Sequence, residues 1–267
     1  MSEAAHAGDD AGPPGVSAPR GGSVGPPART TEARCRLALL GGFVLSVDGT
    51  AVSIPVTAQR IVALLALRGR CGRSRLAGAL WPETTEERAL ANLRTAIWRA
   101  NQVVPGLVAS DHDALAIAGT VRVDITGLVR AAHDLLDGGT TLPVELVLQY
   151  VEGDLLPDWY DDWLTVERER LRQLRLHVLE TVAARLTAEG LFGMALEAAL
   201  AALRSDPLRE SAHRAVIRIH LAEGNLAEAT HAYRQCQALL ARELGVEPSE
   251  QTAVLVRGLP RALPALR

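Results

Sequence analysis

The chain of 267 residues, 48% hydrophobic and 22% charged, is long enough to fold into two domains of ordinary size. All 28 of its basic residues are arginine, which excludes a Walker-type phosphate lysine, a kinase strand lysine and a Schiff-base lysine. The net charge of −3 hides an uneven distribution: residues 34–105 carry ten arginines and four acids, a local +6 that leaves −9 for the remainder, as in a basic nucleic-acid binder joined to an acidic module.

Residues 1–33 are rich in Gly, Ala, Pro and Ser and read as a disordered leader without the apolar core of a signal peptide. Short apolar runs at 36–40, 43–47 and 51–54, with Asp48-Gly49 as a turn signal, predict a small antiparallel sheet that Pro55 ends. Residues 57–67, TAQRIVALLAL, predict a helix capped by Thr57, with Ile61, Leu64 and Leu65 on successive turns and Gly69 as the stop. A second, shorter helix spans 73–80, RSRLAGAL, before Trp81-Pro82.

The third helix, 84–103, opens with Thr84 and Glu87 at the spacing of a capping box. At about 100° per residue, Leu90, Leu93, Ile97 and Ala100 fall on one face, and Arg88, Asn92, Thr95, Arg99 and Gln102 on the opposite one. The second face has no acid; its guanidinium, amide and hydroxyl groups suit phosphates and base edges in a major groove wide enough for one helix. Arg94 and Trp98 flank it, and Trp98, a large aromatic, is expected to pack against the protein. Alternating residues 107–110 and 114–117 around Asp111-His112-Asp113 predict a hairpin, with a further strand at 121–123. Three helices followed by a hairpin outline a winged helix.

A helix over 126–137 ends at Gly138-Gly139, and the domain boundary is placed just before it, near residue 124. Beyond lie a short helix at 143–152 and a long one at 161–189, whose buried stripe is read as Trp163, Val166, Leu171, Leu174, Val178, Val182 and Leu186. Arg168, Glu169, Arg172 and Arg175 are read as its solvated face. Superposing Ala188-Glu189-Gly190 on Ala222-Glu223-Gly224 also aligns Val182 with Val216, Ala195 with Ala229 and Ala198 with Ala232. That offset matches the ~34-residue period of tetratricopeptide (TPR) repeats. Gly190 and Gly224 would be the turns within each pair, and Pro207 would start the helix between them.

The small sheet, AQRIVALLAL, GRSRLAGALWP, ANLRTAIWRANQ and hairpin resemble the OmpR-type winged helix of actinobacterial antibiotic regulatory proteins (the SARP-like family). The stretches LLPDWYDDWLTVERERLRQLRLHVLE and DPLRESAHRAVIRIHLAEGNLAEATHAYRQCQALLARELGVEPS resemble the bacterial transcriptional activator domain, the repeat-type partner of that winged helix. The resemblance implies a mainly α protein: a winged helix over 34–124, an all-α TPR-like domain over 125–259 and a tail at 260–267. It further implies that Leu80-Trp81 closes the second helix beneath the third, and that Arg88, Asn92, Thr95 and Arg99 read double-stranded DNA. Arg94 lies at the margin of that set, Arg60, Arg73 and Arg75 would contact the backbone, and the 111–113 turn with His112 would lie along the neighbouring minor groove. Self-association on DNA as a homodimer, activation through RNA polymerase contact and no cofactor follow from the same resemblance. The third helix departs from the family pattern at 100–103, Ala-Asn-Gln-Val, where a longer basic run is usual.

No phosphate loop, nucleophile elbow or HExxH accompanies the scattered acids, so an enzyme is not expected. Cys35, Cys71 and Cys236 form no CxxC or Cys/His cluster, and His213 and His220 lack a third ligand, so free thiols in a reducing cytoplasm and no metal are expected. No apolar run approaches the ~20 residues of a membrane span. The uncharged end of the third helix leaves one alternative, a TPR-type protein-binding adaptor with a degenerate winged helix.

Overall fold

The computed structural model of the protein describes residues 35–138 and 153–258. The leader, the helix expected at 143–152 and the tail at 260–267 lie outside those residues. The described chain is mainly helical, with a winged helix followed by a stack of helical pairs.

Strand β1 (Cys35–Ala38) turns Cys35 and Leu37 inward and pairs antiparallel with β2 (Val44–Val47). Strand β2 returns as β3 (Thr50–Val52) through Asp48-Gly49. Their φ angles of 51° and 84° are the paired left-handed conformations that an Asp-Gly hairpin requires. The fourth strand, β7 (Arg122–Val123), pairs parallel with β1 and gives the order β3-β2-β1-β7. So the strand expected at 121–123 belongs to the N-terminal sheet and not to the wing.

Helix α1 (Val56–Arg68) is buried over Ala58 and Ile61 to Leu65, more than one stripe of a surface helix, and forms the centre of the first core. It begins one residue before Thr57, with Pro55 at the cap position; the Pro55 carbonyl accepts from the Gln59 amide, and no side chain caps it. Gly69 stops it at a φ of 73°, and β4 (Cys71–Gly72) leads into α2 (Arg73–Leu80). Leu76, Ala77 and Leu80 are buried, and Trp81 packs half-buried against the same core. Helix α3 (Glu86–Val103), β5 (Val108–Asp111) and β6 (Ala114–Ile117) follow, and β4 joins that hairpin in a sheet of order β4-β6-β5.

Helix α4 (Asp124–Leu136) starts two residues earlier than expected because Asp124 fastens it. One carboxylate oxygen accepts from the amides of Leu39 and Leu40 at 2.9 and 3.0 Å, and the other from Ile125 at 2.6 Å. Residues 153–159 lie against the end of β1: Leu40 and Leu155 form a bridge, the Leu156 amide donates to the Leu39 carbonyl at 2.9 Å, and Trp159 stacks on Phe43 at 6.0 Å.

Helix α5 (Asp162–Ala188) crosses from one core to the other. Trp163, Leu164 and Leu171 belong to the winged-helix core; Leu176, Val178, Leu179, Val182, Ala183 and Leu186 belong to the second. Val166, expected in the stripe, is 65% exposed, because the inward face of this turn is taken by Glu167. Arg168 and Arg175 are likewise not solvated: Arg168 donates to the carbonyls of Leu155, Leu156 and Trp159, and Arg175 to that of Gly153. Two ion pairs join α1 to this region, Arg60 to Asp161 and Arg68 to Glu167, the latter at 2.8 Å.

Helices α6 (Phe192–Ser205), α7 (Glu210–Glu223) and α8 (Leu226–Leu244) complete the stack, with Gly190 and Gly224 at positive φ in the turns after α5 and α7. Their contact surfaces are built from Ala195, Ala198, Ala199, Ala202, Ala212 and Ala229, which let the helices approach closely. Pro207 does not start α7. It stands in the preceding turn, where its carbonyl meets Nε2 of the buried His213 at 2.9 Å. A short helix α9 (Glu250–Ala253) closes the stack, with Glu210 accepting from Ser249 and Thr252.

Two predictions follow from these joints. Glu167 is only 8% exposed, so Glu167→Ala leaves Arg68 without its partner and should cost about 2–3 kcal/mol, less than the ~3–5 of a fully buried pair because Arg68 keeps some solvent; an unchanged urea midpoint would refute it. Burial pushes the Glu180 carboxyl upward, but bonds from Arg209 at 2.6 Å and from Ser211 outweigh it, so its pKa lies below the ordinary carboxylate value. A depressed pKa contributes stability above the unfolded value that is lost as pH falls through the folded one. The stability gap between wild type and Glu180→Gln should therefore be full at neutral pH and close in acid, as read from urea midpoints across pH.

Candidate nucleic-acid interface

Helix α3 begins at Glu86 with Thr85 in the cap position. The capping box expected from Thr84 and Glu87 does not form: the Thr84 amide closes a turn onto the Trp81 carbonyl, and no side chain caps the helix. Glu86 and Glu87 in its first turn still favour the helix dipole. The buried stripe is Ala89, Leu93, Ala96 and Ala100, with Leu90 and Ile97 half-buried at its edge. These small residues bring the helix close to α1 and α2.

The opposite face is open. Arg88, Asn92, Arg94, Thr95, Arg99 and Gln102 are all exposed, and Arg88, Asn92, Arg94 and Arg99 make no side-chain hydrogen bond or ion pair with any described residue. Thr95 donates its hydroxyl to the Ala91 carbonyl at 3.1 Å, so toward a ligand it can only accept. From Arg88 to Arg99 the helix rises ~16 Å, somewhat more than the ~12 Å width of a B-DNA major groove.

Trp98 is not packed against the protein. It is 62% exposed on the flank of this face, because the side of α3 that meets the core is already filled by alanines and Leu93.

The wing is tied to the helices by short polar contacts. Arg70 pairs with Asp111 at 2.6 Å, Arg73 donates its guanidinium to the Ser110 hydroxyl at 2.7 Å, and the Arg73 amide donates to the Asp113 carbonyl at 3.0 Å. His112, at the tip with a φ of 52°, has a side chain 93% exposed and sits 2.7 Å from the Asp111 carboxylate. Arg75 is exposed and pairs with no described residue. Arg60 differs: its guanidinium is held by Asp161 and lies 3.5 Å from the Leu80 carbonyl. That engagement removes it from the backbone-contact set expected of it.

The uncharged end of α3 has a structural occupation that the sequence did not disclose. Asn101 donates to the Val108 carbonyl at 3.1 Å and accepts from the Val108 amide at 3.0 Å, fixing the last turn of α3 to the first residue of the wing. An arginine there could donate to the Val108 carbonyl but could not accept from the Val108 amide. Arg70, latched to the hairpin turn, was also missed; its place in a short basic loop before β4 was the only signal. A third pair, Arg36 and Arg122, stands side by side across β1 and β7, brought together only by the parallel pairing.

The fold and the open arginine face define a winged-helix module joined to a TPR-like helical stack. Residues 129–259 match the family model of the bacterial transcriptional activator domain. The chain is 29% identical over 245 residues to the regulatory protein AfsR of Streptomyces coelicolor, covering 86% of this chain and 25% of that protein. It is 29% identical over 219 residues to AfsR of Streptomyces griseus, covering 76% and 22% respectively. It thus spans about a quarter of the length of these relatives. A solved structure of Mycobacterium tuberculosis EmbR, in complex with a low-affinity phosphopeptide, superposes with a TM-score of 0.67 at 19% identity, over 85% of this chain and 65% of that one. These matches support a likeness of the chain to SARP-like transcriptional regulators that carry a bacterial transcriptional activator domain, the domain itself being matched over residues 129–259. Among the described residues, no helix is long and apolar enough to cross a membrane.

Asn101→Ala should loosen the wing by removing two bonds that no nearby side chain replaces. About 1–3 kcal/mol of stability should be lost, with faster amide exchange at Val108; unchanged protection at Val108 would count against the brace.

Proposed function

We propose that the protein is a sequence-specific, double-stranded-DNA-binding transcriptional activator acting in the cytoplasm. In this reading residues 34–124 hold the DNA and residues 125–259 mediate self-association as a homodimer on DNA and contact with RNA polymerase. Arg88, Asn92, Thr95 and Arg99 read the major groove, and Arg94, Arg73 and Arg75 meet phosphates. The wing, with His112 at its tip and Arg70 beside Asp111, follows the adjacent backbone. An exposed pair such as Arg70 and Asp111 contributes little to stability, so Arg70 can exchange its carboxylate for a phosphate at small cost.

The observation that carries this reading is the α3 face itself. It gathers three guanidiniums and an amide that pair with no described residue along about three turns of one helix, and leaves them exposed although the helical stack is attached. The adaptor alternative drew on the uncharged end of α3 and on the acidic C-terminal half, and the Asn101 brace gives the first of these a different explanation. The regulatory proteins to which the chain is similar support the same class of activity.

Retention of random duplex DNA should fall steeply with salt, by roughly 0.9 log units of affinity per log unit of salt for each phosphate neutralised. On a site selected from a random pool, Arg99→Ala should cost about 1–3 kcal/mol and relax specificity at one position. Duplex retention that ignores salt, or an Arg99→Ala variant with full affinity on every selected site, sinks the reading.

A further inference from the structure

The groove-facing side of α3 carries one large apolar group among polar ones. Trp98 is 62% exposed, whereas Trp163 is buried and Trp81 and Trp159 pack half-buried against the winged-helix core. At about 100° per residue, Trp98 lies roughly 100° from the line through Asn92 and Arg99, and it is one turn beyond Arg94. It therefore stands at the margin of the reading face, above Ala91 and next to Thr95, with an exposed arginine on either side. No ring stacking or hydrogen bond to a described residue holds the indole.

We infer that Trp98 is a specificity-determining residue that packs on the C5-methyl group of thymine at the edge of the major groove. The inference rests on the DNA-reading role of α3. Only an A·T pair presents a methyl group in that groove, the thymine C5-methyl; the other recognition points are hydrogen-bond donors or acceptors. The methyl projects near the sugar-phosphate strand that bears its own base, so a residue at the margin of the helix reaches it while the central residues face the base pairs. Arg94, one turn before Trp98, supplies the phosphate contact that holds the helix margin against that strand. Thr95, one turn before Trp98 with its hydroxyl proton given to the Ala91 carbonyl, adds no donor at this flank.

The test uses the full chain and a site selected from random duplex. Each thymine of that site is replaced in turn by deoxyuridine, which removes only the methyl group, and affinities are measured for wild type, Trp98→Ala and Trp98→Phe. At one or two positions wild type should lose about 3- to 5-fold, the worth of one buried methyl. Trp98→Ala should bind the two duplexes equally, and Trp98→Phe should keep part of the difference. The exposed side chain makes these variants safe to fold, which matching melting curves will check. Equal methyl dependence in wild type and Trp98→Ala overturns the inference. So does a Trp98→Ala variant that loses affinity for thymine and deoxyuridine duplexes alike, with or without a change in protein stoichiometry, since the indole then serves the backbone or a second copy. Failure of wild type to retain any duplex at low salt is a different result: it removes the DNA-reading role itself.

Discussion

Two arginines on the most buried helix of the winged-helix module reach out of it to acids at the start of α5. Arg60 and Arg68 are eight residues apart on α1, ~12 Å along the axis, and their partners Asp161 and Glu167 stand at the cap and in the second turn of α5. Helix α1 packs against α3, so whatever fixes α5 to α1 also fixes the helical stack to the open arginine face. Moving such charges out of water is costly, and hydrophobic replacements of similar shape are often as stable. The value of this clasp lies in register: only one placement of α5 along α1 satisfies both pairs, whereas apolar contacts alone tolerate sliding.

The second feature that makes one body of two modules is the way α5 changes allegiance along its length. Its buried residues begin on one side, with Trp163, Leu164 and Leu171, and then move round the helix by roughly a quarter turn to Val178, Leu179, Val182 and Leu186. The first group completes the winged-helix core and the second starts the alanine-lined stack. Four carbonyls of the segment 153–159, which approaches β1 from outside the sheet, accept from Arg168 and Arg175 of the same helix, those of Gly153, Leu155, Leu156 and Trp159. Backbone polar groups in such a junction have to find partners, and arginine can bond several carbonyls at once.

Because the two cores share α5, the helical stack and the open face of α3 belong to one connected structure. The reading face is left bare for a simple reason of charge and size. Its inward side is filled by alanines and one leucine, and its outward side lacks acids, so neither packing nor ion pairing consumes the arginines. The wing is positioned from the same helices through Asn101, Arg70 and Arg73, so helix and hairpin present one surface.

Periodicity in the sequence was enough for the helices that bury a regular stripe. It located α1, α2, α3 and the long α5 to within a few residues, the Asp48-Gly49 turn, and the polar row Arg88, Asn92, Thr95, Arg99, since each depends on residues a few positions apart. The family resemblance supplied the roles proposed for that row and the nature of the helical half. What depended on residues far apart in the chain stayed hidden. The parallel pairing of β7 with β1, the capture of Arg60 by Asp161 and the seating of Glu167 inside the α1–α5 contact all join positions about a hundred residues apart or nearly so. Trp98 failed for the opposite reason: its hydrophobicity implied burial, but the close approach of α3 through Ala89, Ala96 and Ala100 left no space on that flank. The sequence by itself determined which segments are helical and which face of α3 is polar, because those are local properties of spacing. The tertiary structure alone decided which arginines are spent on the protein and which remain for a ligand, because an ion pair is settled only when the chain brings its two halves together.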